Sequence, residues 1–395
     1  MHLAIVTPFP PAITGIGQYG YHVTRALANS GCFSRLTVLA GSGMQGETPN
    51  HLGSTEIDYC WQPGSMNARL AILSRIEWLK PDLVWFNWGA SIFGRSPLAN
   101  LSGSLTPLIA RHSGFPTVVT MHEVVEFADL GALDAPVGTF AYWGARLLTS
   151  IATQADLICL TMRSYAERLA ERHLDCAHIP IGAYHEPRLL EEPDSQELLF
   201  FTTLAPFKGL EILLEVFSRL RIKYPQLRLH IAGAEHTRFP GYARELKNRF
   251  QRREGIAWLG QIPEDQIMDL FRNTQIVVVP YVASTGSSSV LYQAATWGRA
   301  VVASDLVEIC TLARESNLQV EFFQSGNADS LYYALQSLLD SPEKRRSQAE
   351  YNFNSIMKAG PEETGKKYIG VFNRAFEKRN SSKRILHHSL QPEER

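Results

Sequence analysis

Four features are absent from this sequence of 395 residues, and each absence argues against a class of protein. Charge of one sign is not in excess, since 38 lysines and arginines stand against 39 aspartates and glutamates, so no nucleic-acid partner is expected. The five cysteines form no C-x-x-C pair, which argues against a disulfide framework or a zinc site. No uncharged apolar stretch approaches the roughly 18 residues of a spanning helix, so membrane contact is at most peripheral. The first residues, MHLAIVTPFPP, lack signal-peptide features, and we expect a cytoplasmic protein with at most peripheral contact at the cytoplasmic membrane face.

The sequence instead shows a regular alternation of short β-rich runs with amphipathic helical patterns, which is typical of parallel sheets covered by helices. In the first half, strands are predicted at HLAIV, RLTVLA, DLVWF, PTVVTM and DLICLT. In the second half they are predicted at ELLFFTTL, LRLHIAG, IAWLG, IVVVP, AVVAS and LQVEFF. The predicted fold class is therefore α/β, with two doubly wound, Rossmann-like, parallel-sheet domains whose ligand crevices lie at the carboxyl ends of the strands.

The domain boundaries follow from the same alternation. The first domain is predicted over residues 1–180 and the second over 197–360, because hydrophobic periodicity is lost in a linker over 181–196. A last helix is predicted over 361–380 and, since it follows the completed second sheet, we expect it to pack back on the first domain. Residues 381–395 read as a polar tail.

The segment TGIGQYGYHV contains Gly15, Gly17 and Gly20 in the spacing G-x-G-x-x-G of dinucleotide-binding proteins. Two conditions of that fingerprint fail, because TPFPPAIT separates the first glycine from its strand and the second strand ends in VLAGSGMQG, without an acidic residue. A nicotinamide-dependent dehydrogenase is therefore disfavoured. The loop still enters a helix whose free N–H groups suit a phosphate, so Gly15 and Gly17 are candidate donor-binding residues. The alternative is that these glycines only permit a tight entry into the helix.

The second half carries three further motifs in order: TLAPFKGLEILLEVF, WLGQIPEDQIMDLFRNTQIVVVPY and TGSSSVLYQAATWGRAVVASDLVEI. Together with GIGQYGYHVTRALA, VVTMHE and ADLICLTMRSYAERL in the first half, they resemble the retaining glycosyltransferases of family 4 over about residues 1–375. The resemblance implies the GT-B fold, in which two Rossmann-like domains face each other across an interdomain cleft. It also implies that the C-terminal domain binds a nucleotide sugar, that the N-terminal domain binds the acceptor, and that transfer retains the anomeric configuration.

Lys208, in PFKGL, falls on the family lysine that contacts the donor diphosphate, and we predict it as a catalytic and donor-binding residue. A cation beside a glycine at a helix start suits a phosphate independently of the resemblance. The alternative is a solvated lysine in a first helical turn. The family usually has an arginine five residues earlier, where this chain has Thr203, so one usual diphosphate cation is missing. Arg163, in LTMRSY, is a candidate replacement.

The pair of glutamates that the family carries eight positions apart is also absent. The strand GRAVVAS sets the register and places Thr285 at the first glutamate and Gln293 at the second. Gln293 keeps an acceptor oxygen for the nucleotide ribose, whereas Thr285 is shorter and neutral. A loop of small residues at a helix start offers donors to the phosphate or sugar in place of the carboxylates, namely Gly286, Ser287, Ser288 and Ser289. Serine capping of the helix is the alternative, and the chain reads as a divergent member.

His122, in VVTMHEVVEF, follows the fourth predicted strand, where the family often has a histidine or an acidic residue near the sugar and the acceptor. A neutral imidazole can donate or accept a hydrogen bond, so we predict His122 as the second catalytic residue, with a structural histidine as the alternative. The neighbouring Glu123 and Glu126 fit solvated charges that open a helix. Four aromatic residues suit either stacking on a sugar or lipid-linked acceptor, or core packing: Trp85, Phe86, Trp88 and Phe93.

The function that the resemblance implies is transfer of a hexose from a nucleoside diphosphate sugar to a hydroxyl acceptor, in polysaccharide or glycoconjugate assembly. The acceptor classes are a glycan, a glycolipid and a small molecule, and a lipid-linked acceptor is among them. No metal or other cofactor is expected, because cations and helix N-termini stabilise a departing diphosphate. The missing arginine and glutamates leave an alternative, a catalytically silent GT-B protein that binds a sugar nucleotide or a partner enzyme. The basic stretch RFPGYARELKNRFQRREG is predicted as a solvated helix face rather than a lipid attachment site.

Overall fold

The chain divides into two α/β units in the computed structural model. The N-terminal unit comprises Met1–Glu126, Gly138–Pro180 and Pro361–Arg395, and the C-terminal unit comprises Phe127–Val137 and Ile181–Gly360. The structure describes residues 1–11, 14–42, 51–94, 96–127, 131, 139–236, 238–251 and 253–389, without the side chains of 139–141 and 382–389.

In the described residues, the N-terminal unit is built on an eight-stranded sheet in the order β3-β4-β2-β1-β5-β6-β7-β8. Its strands are β1 His2–Val6, β2 Arg35–Gly41, β3 His51–Leu52, β4 Thr55–Trp61, β5 Leu83–Trp88, β6 Thr117–Met121, β7 Leu157–Leu160 and β8 Cys176–His178. Strand β3 pairs antiparallel with β4, and the other neighbours pair in parallel. The apolar side chains of β1, β5 and β6 are almost completely buried, as in strands that are covered on both faces.

Helices cover this sheet and are α1 Gly15–Asn29, α2 Ala68–Leu79, α3 Pro97–Ser104, α4 Thr106–His112, α5 Thr139–Ala152 and α6 Arg163–Ala170. Helices α2, α3, α4 and α5 contact one another as neighbours. Helix α1 packs instead against the last helix of the chain, α14, Pro361–Ser389.

Helix α14 belongs to the N-terminal unit although the whole C-terminal unit precedes it in sequence. Tyr368, Phe372 and Ala375 on this helix are completely buried. Lys378 Nζ donates to Asp175 Oδ2 at 2.9 Å. The helix continues nine residues beyond its predicted end at residue 380, as far as Ser389, and the rest of the predicted polar tail lies outside the described residues.

The described C-terminal unit contains a six-stranded, all-parallel sheet in the order β11-β10-β9-β12-β13-β14. The strands are β9 Glu197–Phe201, β10 Arg228–Ala232, β11 Ile256–Gly260, β12 Ile276–Val279, β13 Ala300–Ser304 and β14 Glu321–Phe323. The helices are α7 Leu210–Lys223, α8 Tyr242–Arg249, α9 Ile267–Arg272, α10 Ser289–Thr296, α11 Val307–Glu315, α12 Ala328–Asp340 and α13 Pro342–Ile356. The core lies between β9, β10, β12 and the apolar face of α7, where Leu210, Leu213, Leu214 and Phe217 are completely buried.

The predicted α/β class with parallel sheets is confirmed, and every predicted strand is present. Strands β3, β4 and β8 were not predicted. Residues 181–196, predicted as a linker, contain no helix or strand and are counted with the C-terminal unit. In the described part of the chain, no helix is both long and apolar enough to cross a membrane.

Candidate functional site

Both sheets reverse their strand order at one point, and several of the predicted site residues follow the strands at that point. In the C-terminal unit the series runs from β9 to β10 and β11 on one side and starts again at β12 on the other. In the N-terminal unit β1 and β5 flank the equivalent point. Ligands of open α/β sheets bind outside the carboxyl ends of the strands where the order reverses. The loops after β9 and β12, and those after β1 and β5, are therefore where each unit can form a site.

In the C-terminal unit, Lys208 is held where the loops after β9 and β12 meet. It ends the 3₁₀ turn Pro206–Lys208, and Gly209 then caps α7 with φ of +69°. A Cβ at residue 209 would overlap the carbonyl of Pro280, so only glycine allows the two loops this approach. The Val282 N–H donates to the Phe207 carbonyl oxygen at 3.0 Å, which ties the second loop to the first. The sequence pair Lys-Gly thus fixes a cation at the point where the strand order reverses.

Lys208 carries its charge without a carboxylate partner among the described residues. Its Nζ lies 3.8 Å from the centroid of the buried Tyr281 ring, which stabilises an ammonium through its π face. His236 lies near it, and burial, with the charges of Arg238 and Lys208, lowers the pKa of His236 to about 4. The histidine is therefore neutral at physiological pH and does not add to or offset the positive charge. This edge of the sheet suits an anion.

The loop after β12 presents buried polar atoms that the protein does not use. Ser288 is the N-cap residue of α10, but its hydroxyl makes no capping hydrogen bond, so the alternative of serine capping is wrong for Ser288. Its Oγ and the Oε1 of Gln293 are buried without a hydrogen-bond partner in the described structure. An unsatisfied buried polar atom is costly unless a ligand or water completes it. Both atoms are therefore candidate ligand contacts.

The other predicted residues of this unit lie in the same two loops. Thr203, half-buried, follows β9, and Thr285, half-buried, follows β12. The Ser284 hydroxyl donates to the Gly286 carbonyl at 3.1 Å, which shapes the glycine-serine loop. Gly286 is buried, whereas Ser287 and Ser289 are half-buried.

In the N-terminal unit, the glycine-rich segment after β1 opens α1. Thr14 caps this helix, and its Oγ1 accepts a hydrogen bond from the Gly17 N–H at 2.9 Å. Because the cap engages that N–H, the interpretation of Gly17 as a tight helix entry fits better than a phosphate contact. Gly15 is exposed and has open space around its Cα. A Cβ at Gly20 would overlap Thr7 Oγ1, so the third glycine allows α1 to pack against the end of β1.

His122 follows β6 and lies beside β5, where Asn87 determines its tautomer. The Asn87 Nδ2 donates to the Ile16 carbonyl at 2.8 Å and to Thr7 Oγ1 at 2.9 Å, so Oδ1 points to His122. That oxygen can only accept, and His122 Nε2, 2.6 Å away, must therefore donate. Burial lowers the pKa of His122 to about 3. The ring is neutral, with Nδ1 as a hydrogen-bond acceptor.

The chain is similar to one protein family and to several solved structures. The family model described as Glycosyl transferases group 1 matches residues 195–341. Sucrose-phosphate synthase of Thermosynechococcus elongatus superposes with a TM-score of 0.73 at 15% identity, over 95% of this chain and 99% of that chain. The Anabaena protein HepE, solved with UDP and glucose, has a TM-score of 0.70 at 14% identity, over 95% of this chain and 100% of that chain. This chain has the GT-B fold.

A third GT-B structure is similar over the same extent. The UDP-forming α,α-trehalose-phosphate synthase of Burkholderia xenovorans has a TM-score of 0.64 at 14% identity, over 94% of this chain and 99% of that chain. No curated protein matches the chain by sequence. At these identities the structures establish the GT-B fold and leave the reaction to be inferred from the site.

One expectation about the N-terminal unit is corrected, and one open alternative is decided. Glu123 and Glu126 are not solvated charges, since Glu123 Oε1 accepts from the Ala90 N–H at 2.8 Å and Glu126 pairs with Arg172 at 2.7 Å. The four aromatic residues pack in the core rather than face a ligand, with at most 3% of each exposed: Trp85, Phe86, Trp88 and Phe93. Arg163, the suggested replacement cation, begins α6 in the N-terminal unit.

Sequence reasoning missed the residues that support His122. Asn87 interrupts the apolar strand LVWFNW, and a buried amide in such a strand indicates a specific hydrogen-bond partner. Tyr19 meets the His122 ring edge to face at 4.7 Å between centroids. Its hydroxyl lies 2.8 Å from that of Tyr368, which in turn lies 2.8 Å from Thr120 Oγ1. The contact of Tyr368 on α14 with these residues has no local signal, because nearly 350 residues separate Tyr19 from Tyr368.

Proposed function

We propose that this chain is a retaining glycosyltransferase of the family 4 type that transfers a hexose from a nucleoside diphosphate sugar to a hydroxyl acceptor. The observation that carries the proposal is Lys208, a cation held over Tyr281 without a carboxylate partner among the described residues, at the point where the C-terminal sheet reverses its order. That sheet lies in the segment that the Glycosyl transferases group 1 model matches. Two of the similar proteins have UDP in their names or complexes.

The C-terminal unit is the donor side in this proposal. Lys208 binds the diphosphate and stabilises the charge that develops on it as the glycosidic bond breaks. Gln293 Oε1 accepts from a ribose hydroxyl, and Ser288 Oγ contacts the phosphate or the sugar, so that both buried atoms gain a partner. The same donor site includes the other predicted residues of the two loops, namely Thr203, Thr285, Gly286, Ser287 and Ser289. No metal is assigned a role.

The N-terminal unit is the acceptor side. The neutral His122 accepts a hydrogen bond at Nδ1 from a hydroxyl of the sugar or the acceptor, and Asn87 keeps that nitrogen unprotonated. The leaving phosphate assists removal of the acceptor proton. His122 therefore orients the acceptor hydroxyl and does not take up its proton. Gly15 supplies a helix N-terminus for a phosphate. A cytoplasmic location and a lipid-linked acceptor belong to the same proposal.

The test is calorimetric titration of the full chain with UDP, GDP, ADP and NAD. One nucleoside diphosphate should bind, and Lys208→Ala should weaken it about tenfold or more, since a hydrogen bond to a charged group contributes about 1.5–3 kcal/mol. Lys247→Ala, an exposed lysine on α8 of the same unit, is the matched control and should bind normally. Absence of binding by any nucleoside diphosphate, or binding of NAD alone, would overturn the donor site.

A second candidate is a catalytically silent protein that binds the donor without turning it over. The observation in its favour is the neutral set Thr203, Thr285 and Gln293 at positions where the family has charges. It predicts the same nucleotide affinity but no hydrolysis of any sugar nucleotide and no transfer. NMR of the released sugar distinguishes the two, because a retaining enzyme first yields the anomer of the donor.

A further inference from the structure

Three neighbouring helices of the N-terminal unit expose large apolar side chains. Helix α2 and the residues before it, α3, and α5 each contribute, and exposed side chains of this size are unusual in such number on one surface. The set, called the apolar face below, consists of Met66 (52% exposed), Leu70 (58%), Leu98 (66%), Tyr142 (49%), Trp143 (59%) and Leu147 (53%). Within the described part of the unit, these side chains have no core to pack against.

The residues share one side of the unit. Helix α3 contacts both α2 and α5, and the loops before α2 and α3 touch, because the Gly64 N–H donates to the Phe93 carbonyl. On α5 the side chains of Tyr142, Trp143 and Leu147 lie on the solvent side, while Ala145 and Thr149 are buried on the other. At 100° per residue this spacing makes a continuous outer stripe.

The charge of this surface is of one sign. The sequence has no acidic residue between Asp58 and Glu77, between Asp82 and Glu123, or between Asp134 and Asp156. These stretches hold the whole apolar face. Of the arginines on its three helices, Arg75 is paired with Asp58 and Arg69 is half-buried, which leaves Arg146 as the exposed positive charge. Arg146 is exposed, and its guanidinium lies 5.9 Å from the centroid of the Trp143 ring. The surface is therefore complementary to a negatively charged apolar partner.

We propose that the apolar face docks this protein on a bilayer of anionic lipid. Trp143, Tyr142 and the leucines enter the interfacial layer, where aromatic residues are favoured, and Arg146 meets lipid phosphates. A second copy of the chain fits less well. A twofold dimer would place this face against itself and bring arginines together without any acidic partner from the face.

The position of the face links docking to the N-terminal site. Helices α2, α3 and α5 begin after β4, β5 and β6, so their first turns lie towards the carboxyl ends of these strands. His122 directly follows β6 at the same edge. An acceptor dissolved in the bilayer would reach His122 from this edge; this consequence rests on the proposed function, whereas docking does not.

The experiment is co-sedimentation of the full chain with two kinds of vesicle, phosphatidylcholine alone and phosphatidylcholine mixed with phosphatidylglycerol. The chain should bind the mixed vesicles more strongly. The double change Trp143→Ala with Leu147→Ala should weaken binding to both by about tenfold or more, given the apolar area that it removes. Arg146→Gln should weaken binding to the mixed vesicles about fivefold and leave binding to the neutral vesicles unchanged.

Two controls separate the face from general apolar exposure. Ile222→Ala removes an 85% exposed side chain of α7, and Tyr333→Ala removes a 66% exposed side chain of α12, both in the C-terminal unit. Both should bind vesicles within about twofold of the unchanged chain. The unfolding temperature of each variant checks that it is folded.

Three outcomes would overturn the proposal. These are no binding to the mixed vesicles, an equal loss in the Ile222→Ala control, and a dimer that the double variant dissolves while no vesicle binds. Vesicle binding is measured without nucleotide, and nucleotide binding without vesicles. Failure of docking is therefore distinguishable from failure of the donor site.

Discussion

The two units place their candidate residues at equivalent points of similar sheets but prepare them in opposite ways. In the C-terminal unit, Lys208 has no carboxylate partner among the residues that the structure describes, and there the nearby loop leaves Ser288 and Gln293 with unused buried atoms. In the N-terminal unit, Asn87 and His122 are neutral and hydrogen-bonded to each other. Similar sheets can thus place candidate site residues at equivalent points in two units. The side chains at each point decide whether it attracts an anion or orients a hydroxyl.

The same difference predicts how substitutions in each unit affect the protein. A charged site with unsatisfied atoms is completed by its ligand, so its cost is recovered on binding. The hydrogen bonds of Asn87 hold the His122 ring in place without a ligand and leave Nδ1 to accept from one, so the geometry is fixed in the free protein. We expect substitutions in the C-terminal loops to change the affinity for the nucleotide. Substitutions in the N-terminal hydrogen-bond network should change turnover instead.

The largest effect is expected from Gly209→Ala, which disrupts the approach of the two loops that position Lys208. Its Cβ would overlap the Pro280 carbonyl, at a φ of +69°, so the change should destabilise the C-terminal unit by about 3 kcal/mol or more. Gly326→Ala is the matched control in the same unit, with φ of +75° and no atom within 4 Å of its Cβ, and should cost about 1 kcal/mol. Urea unfolding measures both, and equal losses would show that the approach of the two loops is unimportant.

His122→Gln tests the division of labour between the units. Transfer should fall about hundredfold because the ring that orients the hydroxyl is lost, while affinity for the nucleoside diphosphate stays within about twofold. Lys208→Ala should show a large loss of affinity instead. His112→Gln, an exposed histidine of α4, serves as the control and should leave both quantities unchanged. Loss of nucleotide affinity in His122→Gln would contradict the separation of donor and acceptor sides.

The smallest expected effect is on the pH dependence of unfolding. Burial lowers the pKa of His122 to about 3 and that of His236 to about 4, below the unfolded value near 6.5. As pH falls below 6.5 the unfolded chain takes up protons that the folded chain does not, so the stability held above that pH is progressively lost. His122→Gln and His236→Gln should each reduce this slope by at most about one proton. Urea unfolding at pH 7.5, 6.5 and 5.5 measures the slopes, and an unchanged slope in either variant would contradict the buried neutral state of that histidine.

How much of the fold the sequence predicts depends on burial. Central strands such as LVWFNW and IVVVP are apolar throughout because both of their faces are covered, and they were found. Strand β4, TEIDYCW, mixes charged and apolar residues near the sheet edge, and β8 has only three residues, so neither shows a periodic signal. Edge strands depend on their neighbours more than on their own sequence.

The site divides in the same way. Lys208 and Gly209 are adjacent in sequence and could be predicted as a pair, although the contact with Tyr281 could not. The neutral state and tautomer of His122 depend on Asn87 and Ile16, which belong to other elements. Such contacts join residues that are far apart in sequence, and a single sequence contains no record of them.

The position of α14 has a consequence for the order in which the chain is made. Residues 1–180 leave the ribosome before α14 does, yet Tyr19 and Trp85 have their buried partners Tyr368 and Phe372 on that helix. The N-terminal unit must wait, with those aromatic surfaces uncovered, until the C-terminal unit has been synthesised and the last helix can arrive. The core of the first unit is thus completed only after α14 has been synthesised, and a chain cut after Gly360 would leave those aromatic side chains exposed to solvent.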